Sequence, residues 1–161
     1  MAFSYDPFVS AEEVERLGCE VTSLNELLKK SDVVSLHARL SPETEGMFGA
    51  RQFSLMKESA YFINTARGEL VRYDDLYAAL KEKRIAGAAL DVFEAEPLPM
   101  DSPLYQLENV TATPHIAGAT RQSAENGAYI VAEDIYLFMM GRLPRHCANP
   151  EVLAIAERRS S

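Results

Sequence analysis

"FINTARGELV" spans Phe62 to Val71. A short apolar run ends in a polar knot, and Arg67 sits inside the knot. A buried, unpaired guanidinium is costly, so an arginine directly after a core-strand pattern needs a reason. The pattern recurs downstream. "IAGAALDVFEAEP", residues 85–97, is an apolar run that reaches Asp91 and then Glu94 and Glu96. "NVTATPHIAG", residues 109–118, reaches His115 just after Pro114.

Amphipathic helical patterns separate these runs. "YDDLYAALKEKR" puts Leu76, Ala79 and Leu80 on one helical face. Further upstream, "AFSY" (2–5), "CEVT" and "VVSLH" (33–37) read as short strands, and "GARQFSLMK" as a short helix. "SAEEVERLG" and "SLNELLKKSD" read as helices opened by capping boxes, Ser10 with Glu13 and Ser23 with Glu26. "TRQSAENGAYIVAEDIYLFMMG" is a long amphipathic helix that stops at Gly141. Strands that alternate with helices, and that read as apolar on both faces, predict a parallel sheet covered by helices on both sides. Ligands of such sheets sit outside the carboxyl ends of the strands. Arg67, Asp91 or Glu96, and His115 are therefore expected at one edge of one sheet.

Those residue types suit one chemistry. Arginine grips a carboxylate with a bidentate fork. Histidine exchanges a proton near neutral pH, and a carboxylate beside it fixes its ring. Together they fit a 2-keto or 2-hydroxy acid, with the hydride drawn from a cofactor because no side chain supplies one. "SYDP" puts Asp6 directly after a strand. An acid in that place of a dinucleotide fold binds the adenosine ribose and disfavours a 2′-phosphate, although Asp-Pro after a strand also reads as a plain turn.

The bulk numbers narrow the class. The chain has 161 residues, 47% hydrophobic and 25% charged, with a formal charge of −8. That length supports one domain with a real core. The acidic balance argues against nucleic acid as a partner. No run is long and apolar enough for a membrane helix, and "MAFSYDPF" lacks the basic and apolar regions of a signal peptide. Cys19 and Cys147 form no CxxC pair and read as free thiols in a reducing cytoplasm; no metal site is expected.

"SDVVSLHARLSPETEGMFG", "INTARGELV", "GAALDVFEAEPLP" and "DSPLYQLENVTATPHIAG" together resemble the nucleotide-binding domain of the D-isomer-specific 2-hydroxyacid dehydrogenases, in its order. The resemblance covers about residues 3–150, and "ANPEV" is similar to the phosphoglycerate dehydrogenase and hydroxypyruvate reductase branches. It implies NAD as cofactor and a small 2-hydroxy or 2-keto acid as substrate. It implies Arg67 as the substrate-binding arginine, Glu96 rather than Glu94 as the histidine's partner, and His115 as the acid/base. Cofactor contacts are implied for Asp6, His37, Ala38, Thr65, Ala66, Arg67, Asp91, His115 and Gly118. Arg39 stands where the family usually has proline, and no function is assigned to it.

No GxGxxG loop precedes "AFSY". The expected fold is thus an α/β, incomplete Rossmann-type doubly wound parallel sheet lacking the first strand and the glycine-rich loop, over residues 1–150, followed by a solvated tail at 151–161. Two open sheet edges and the long helix favour self-association, most simply a dimer. The resulting expectation is a family dehydrogenase that is inactive as this chain alone. The alternative is a non-catalytic, NAD(H)-responsive, protein-binding module, since the family also contains similar corepressors.

Overall fold

The computed structural model describes residues 1–152. The expected "ERRSS" end of the tail lies outside them. Two compact units divide the chain, Met1–Ala117 and Gly118 onward.

The first unit alternates strand and helix. Its strands are β1 (Ala2–Ser4), β2 (Cys19–Val21), β3 (Val33–Leu36), β4 (Tyr61–Asn64), β5 (Gly87–Leu90) and β6 (Val110–Ala112). Its helices are α1 (Ala11–Arg16), α2 (Leu24–Lys30), α3 (Ala50–Leu55) and α4 (Tyr73–Lys81). All strand pairs are parallel. They form two sheets, a two-stranded β1–β2 and a four-stranded β3–β4–β5–β6. No ladder joins β1 to β3, so each keeps one edge outside the pairing.

Local chemistry sets the helix starts. The Ser10 side chain accepts the Glu13 amide, and Glu13 reaches back to the Ser10 amide at 3.2 Å, which completes the expected capping box. At α2 only half of the expected box forms. Ser23 accepts the Glu26 amide at 3.3 Å, but the Glu26 carboxylate turns to Lys29 Nζ at 3.0 Å. An ion pair one turn along competes for the same carboxylate.

The core lies on one face of the four-stranded sheet. Val34, Leu36, Phe62, Ala88 and Leu90 pack there with Leu28 of α2, Phe53 of α3, and Leu76 and Leu80 of α4. Phe62 is fully buried, with the Phe48 and Phe53 ring centroids 5.0 and 5.4 Å away. Within this unit the opposite face is not covered as the sequence reading predicts. Burial alternates along β3 and β4, and Val33 and Tyr61 are each 54% exposed. The reason is that the unit's helices α2, α3 and α4 all contribute to the single cluster on the Phe62 side.

In the second unit, α5 (Arg121–Met139) is capped by Thr120, whose side chain accepts the Ser123 amide at 3.1 Å. The chain beyond the helix returns to it: Arg145 and His146 donate their amides to the Asp134 carboxylate at 2.8 and 3.0 Å. Among the described residues, no helix is long and apolar enough to cross a membrane.

Candidate active site at the strand ends

Parallel pairing in register puts Leu36, Asn64 and Leu90 side by side, with Leu90 opposite Ala112 on β6. The loops that follow β4, β5 and β6 therefore leave the same edge. They carry Arg67, Asp91 with Glu96, and His115 respectively.

Arg67 answers the question its position raises. The residue is exposed, in extended backbone at φ −149°, and its Nη1 donates to the Ala66 carbonyl at 2.6 Å. The arginine is thus exposed rather than buried; the apolar strand ends at Asn64, and Arg67 is delivered to its mouth.

Glu96 and His115 form a pair. His115 Nδ1 lies 2.7 Å from Glu96 Oε2, and the Phe93 amide donates to Glu96 Oε1 at 3.0 Å. With its Nδ1–H donated to Glu96, the imidazole leaves Nε2 as the outward atom. The Glu96 carboxyl is held below the usual glutamate value of 4.5. The hydrogen bond from His115 is the largest cause, followed by that from the Phe93 amide, against a partial cost of burial; the charges of His115 and Arg67 add to it. The rival Glu94 is exposed and lines an acidic cleft of 650 Å³ with Glu45, Glu69, Arg72, Asp74 and Asp75. That cleft holds none of Arg67, Glu96 or His115.

Asp91 is buried, at 3% exposure. Its Oδ1 accepts from the Thr113 hydroxyl and from the Ile116 amide at 2.9 Å, and its Oδ2 accepts from the Ala117 amide at 2.8 Å. Burial works to raise its pKa, but the bonds from Thr113, Ala117 and Ile116, with the His115 charge, outweigh it and hold the carboxyl below 3.8. These bonds bracket His115, which has a left-handed φ of 56°. A non-glycine residue in that region is strained by about 1–2 kcal/mol, and Asp91 supplies the opposing grip.

The remaining candidates take simpler places. Asp6 follows β1 and is exposed; its Oδ1 accepts the Phe8 amide at 2.8 Å, an Asx turn, and its other oxygen takes no hydrogen bond among the described residues. His37 and Ala38 follow β3, with His37 Nε2 2.8 Å from Ser35 Oγ. Thr65 is exposed and Ala66 half-buried in the β4 loop. Gly118 opens the second unit, where its carbonyl accepts the Thr120 amide at 2.9 Å. The sequence reading missed Asn64, Gly68 and Thr113, which hold the loops rather than face the crevice. For Asn64 there was a signal: an amide side chain closing an apolar strand.

Glu96 makes the site's acid sensitivity testable. Its folded pKa is depressed, so its contribution is present above about pH 4.5, the unfolded value, and is lost as pH falls through the lower folded value. Urea midpoints of the wild type and Glu96→Gln are expected to differ above that pH and to converge below it. Parallel curves across the whole range would show that the Glu96–His115 pair contributes nothing.

The NAD-binding domain of the D-isomer specific 2-hydroxyacid dehydrogenases matches residues 2–117 as a family model. A glyoxylate reductase of Korarchaeum cryptofilum is 44% identical over 156 residues, which covers 96% of this chain and 47% of that protein. A D-3-phosphoglycerate dehydrogenase of Archaeoglobus fulgidus is 43% identical over 146 residues, 91% of this chain and 28% of that protein. The NAD-complexed structure of a D-isomer specific 2-hydroxyacid dehydrogenase from Lactobacillus delbrueckii ssp. bulgaricus superposes with a TM-score of 0.80 at 38% identity, over 88% of this chain and 46% of that one. The chain thus spans about half the length, or less, of the curated relatives it matches.

Proposed function

Since this chain belongs to the D-isomer-specific 2-hydroxyacid dehydrogenases through their NAD-binding domain, we propose that it carries the proton-transfer and carboxylate-binding half of an NAD-dependent reduction of a small 2-keto acid. The observation that supports this most is the Glu96–His115 pair at 2.7 Å, on loops that leave the same sheet edge as the loop carrying Arg67. The residues present fit a nicotinamide dinucleotide. Exposed Thr65 and His115 border the strand ends, and the Asp6 carboxylate after β1 has an oxygen open to a ribose hydroxyl among the described residues. A carboxylate there repels a 2′-phosphate, which favours NAD over its phosphorylated form.

The chemistry the bound cofactor supplies is hydride transfer to the 2-carbon. Arg67 holds the substrate carboxylate with its guanidinium fork. His115 delivers the proton from Nε2 to the 2-keto oxygen. Glu96 accepts Nδ1–H throughout, keeps the ring oriented and stabilises the imidazolium. In the reverse direction the same nitrogen takes the proton from the 2-hydroxyl. Two free thiols fit a reducing, cytoplasmic setting. Self-association through a second copy is part of the same reading, since Tyr129, Phe138 and Met139 of α5 are 76%, 76% and 78% exposed.

Absorbance assays of NADH oxidation with glyoxylate and hydroxypyruvate test the proposal. These 161 residues contain no GxGxxG loop, so little or no turnover is expected from the chain alone, and any that is measured should depend on Arg67 and be abolished in His115→Ala. Turnover that survives His115→Ala would refute the assignment of the proton donor. NADH binding without any turnover, together with capture of a defined partner protein, would favour the non-catalytic module instead. Light scattering on the same sample reads the oligomeric state, and a monomer at high concentration would remove self-association.

A further inference from the structure

Two polar side chains are buried among the described residues of the first unit, Asp91 and Asn64. Asp91 grips the His115 loop. Asn64 has no surface exposure, and a buried carboxamide is tolerated only when its hydrogen bonds are made. Both of its partners lie in the three residues that follow it. Oδ1 accepts the Ala66 amide at 3.0 Å, and Nδ2 donates to the Arg67 carbonyl at 2.9 Å. Its main-chain carbonyl accepts the Asp91 amide at 3.0 Å, which ties the same residue to β5.

We propose that Asn64 is the positioning residue for Arg67: its carboxamide closes the 65–67 loop on itself and fixes the backbone from which the guanidinium reaches the strand-end crevice. The inference rests on the reading of Arg67 as the carboxylate-holding group. No other residue type does the same work at this length. Aspartate keeps the acceptor for Ala66 but turns lone pairs toward the Arg67 carbonyl. Leucine fills the volume and leaves both loop groups unpaired.

The test is nuclear magnetic resonance on the chain itself and on Asn64→Asp and Asn64→Ala. The readouts are the heteronuclear NOE of Arg67 Nε, amide exchange at Ala66, and affinity for oxamate, a 2-keto acid analogue. Exchange at the Ile116 and Ala117 amides, held by Asp91, reports whether the rest of the site stays folded. In the wild type, the Asn64 side-chain amide protons are expected to exchange slowly. In Asn64→Asp, Arg67 Nε is expected to become mobile and oxamate to bind about tenfold more weakly, with the Ile116 and Ala117 amides unchanged. An Arg67 that stays as ordered as in the wild type, with unchanged oxamate affinity, overturns the inference. So does a freely exchanging Asn64 amide in the wild type, a result that needs no folded variant. Should the wild type not bind oxamate while Arg67 still loses order in the variant, the positioning role stands and the reading of Arg67 as the carboxylate holder fails.

Discussion

Replacing Gly68 with alanine is expected to cost about 3 kcal/mol of stability and to push the Arg67 loop away from the Glu96 turn. An ideal Cβ at Gly68 would lie 2.0 Å from the Phe93 carbonyl carbon, 2.2 Å from its oxygen and 2.4 Å from the Glu94 nitrogen. All three are backbone atoms, so no side-chain rotation relieves the clash. The contact has a functional consequence because of what the Phe93–Glu94 segment holds. The Phe93 amide anchors Glu96, and Glu96 anchors His115. The Tyr73 hydroxyl fixes the same segment from α4 by donating to the Val92 carbonyl at 2.6 Å. Gly68 therefore sets the spacing between the arginine and the histidine by letting two backbones touch. Urea unfolding should show a lower midpoint with an unchanged slope, and the paired Glu96–His115 signals should move. A loss below about 0.5 kcal/mol, the size of an ordinary surface change, would mean the loops adjust freely and do not share a register.

Asp91→Ala is expected to cost about 3 kcal/mol. The substitution removes the acceptor of the Thr113 hydroxyl and of the Ile116 and Ala117 amides at one stroke. It also releases the strained φ of 56° at His115, so the imidazole should leave its bond to Glu96. Asp91→Asn separates charge from shape, since its Nδ2 would face amide hydrogens where an oxygen now accepts. Amide exchange at Ile116 and Ala117 should accelerate in both variants, while the β3–β4 ladder stays protected. Equal protection of Ile116 and Ala117 in wild type and Asp91→Ala would show that the loop is held by something else.

That Arg67, Asp91 and His115 would follow strand ends sharing one edge was legible in the sequence because the strands are parallel. "YFIN", "GAAL" and "VTA" each needed only an apolar pattern and a following polar residue to place Arg67, Asp91 and His115. The cap at Ser10 was legible for the same local reason. What escaped depends on contacts remote in sequence. The Glu26 carboxylate chose Lys29 over its cap, a competition that spacing alone does not decide. Asp91 looked like a group facing the crevice, yet both of its oxygens are engaged by residues 22 to 26 positions away. Nothing in "ARGEL" announces that Gly68 meets the backbone of Phe93. The open face carrying Val33 and Tyr61 could not be read from apolar strands, because residue type does not reveal which helices a unit supplies.

The claim that Arg67, Glu96 and His115 act as one site is tested most directly by titrating oxamate into the chain while following the Arg67 Nε and His115 Cε1 signals together. Both signals are expected to shift along a single binding curve, and both responses to vanish in Arg67→Met. Independent curves, or a His115 signal that still responds in Arg67→Met, would contradict it.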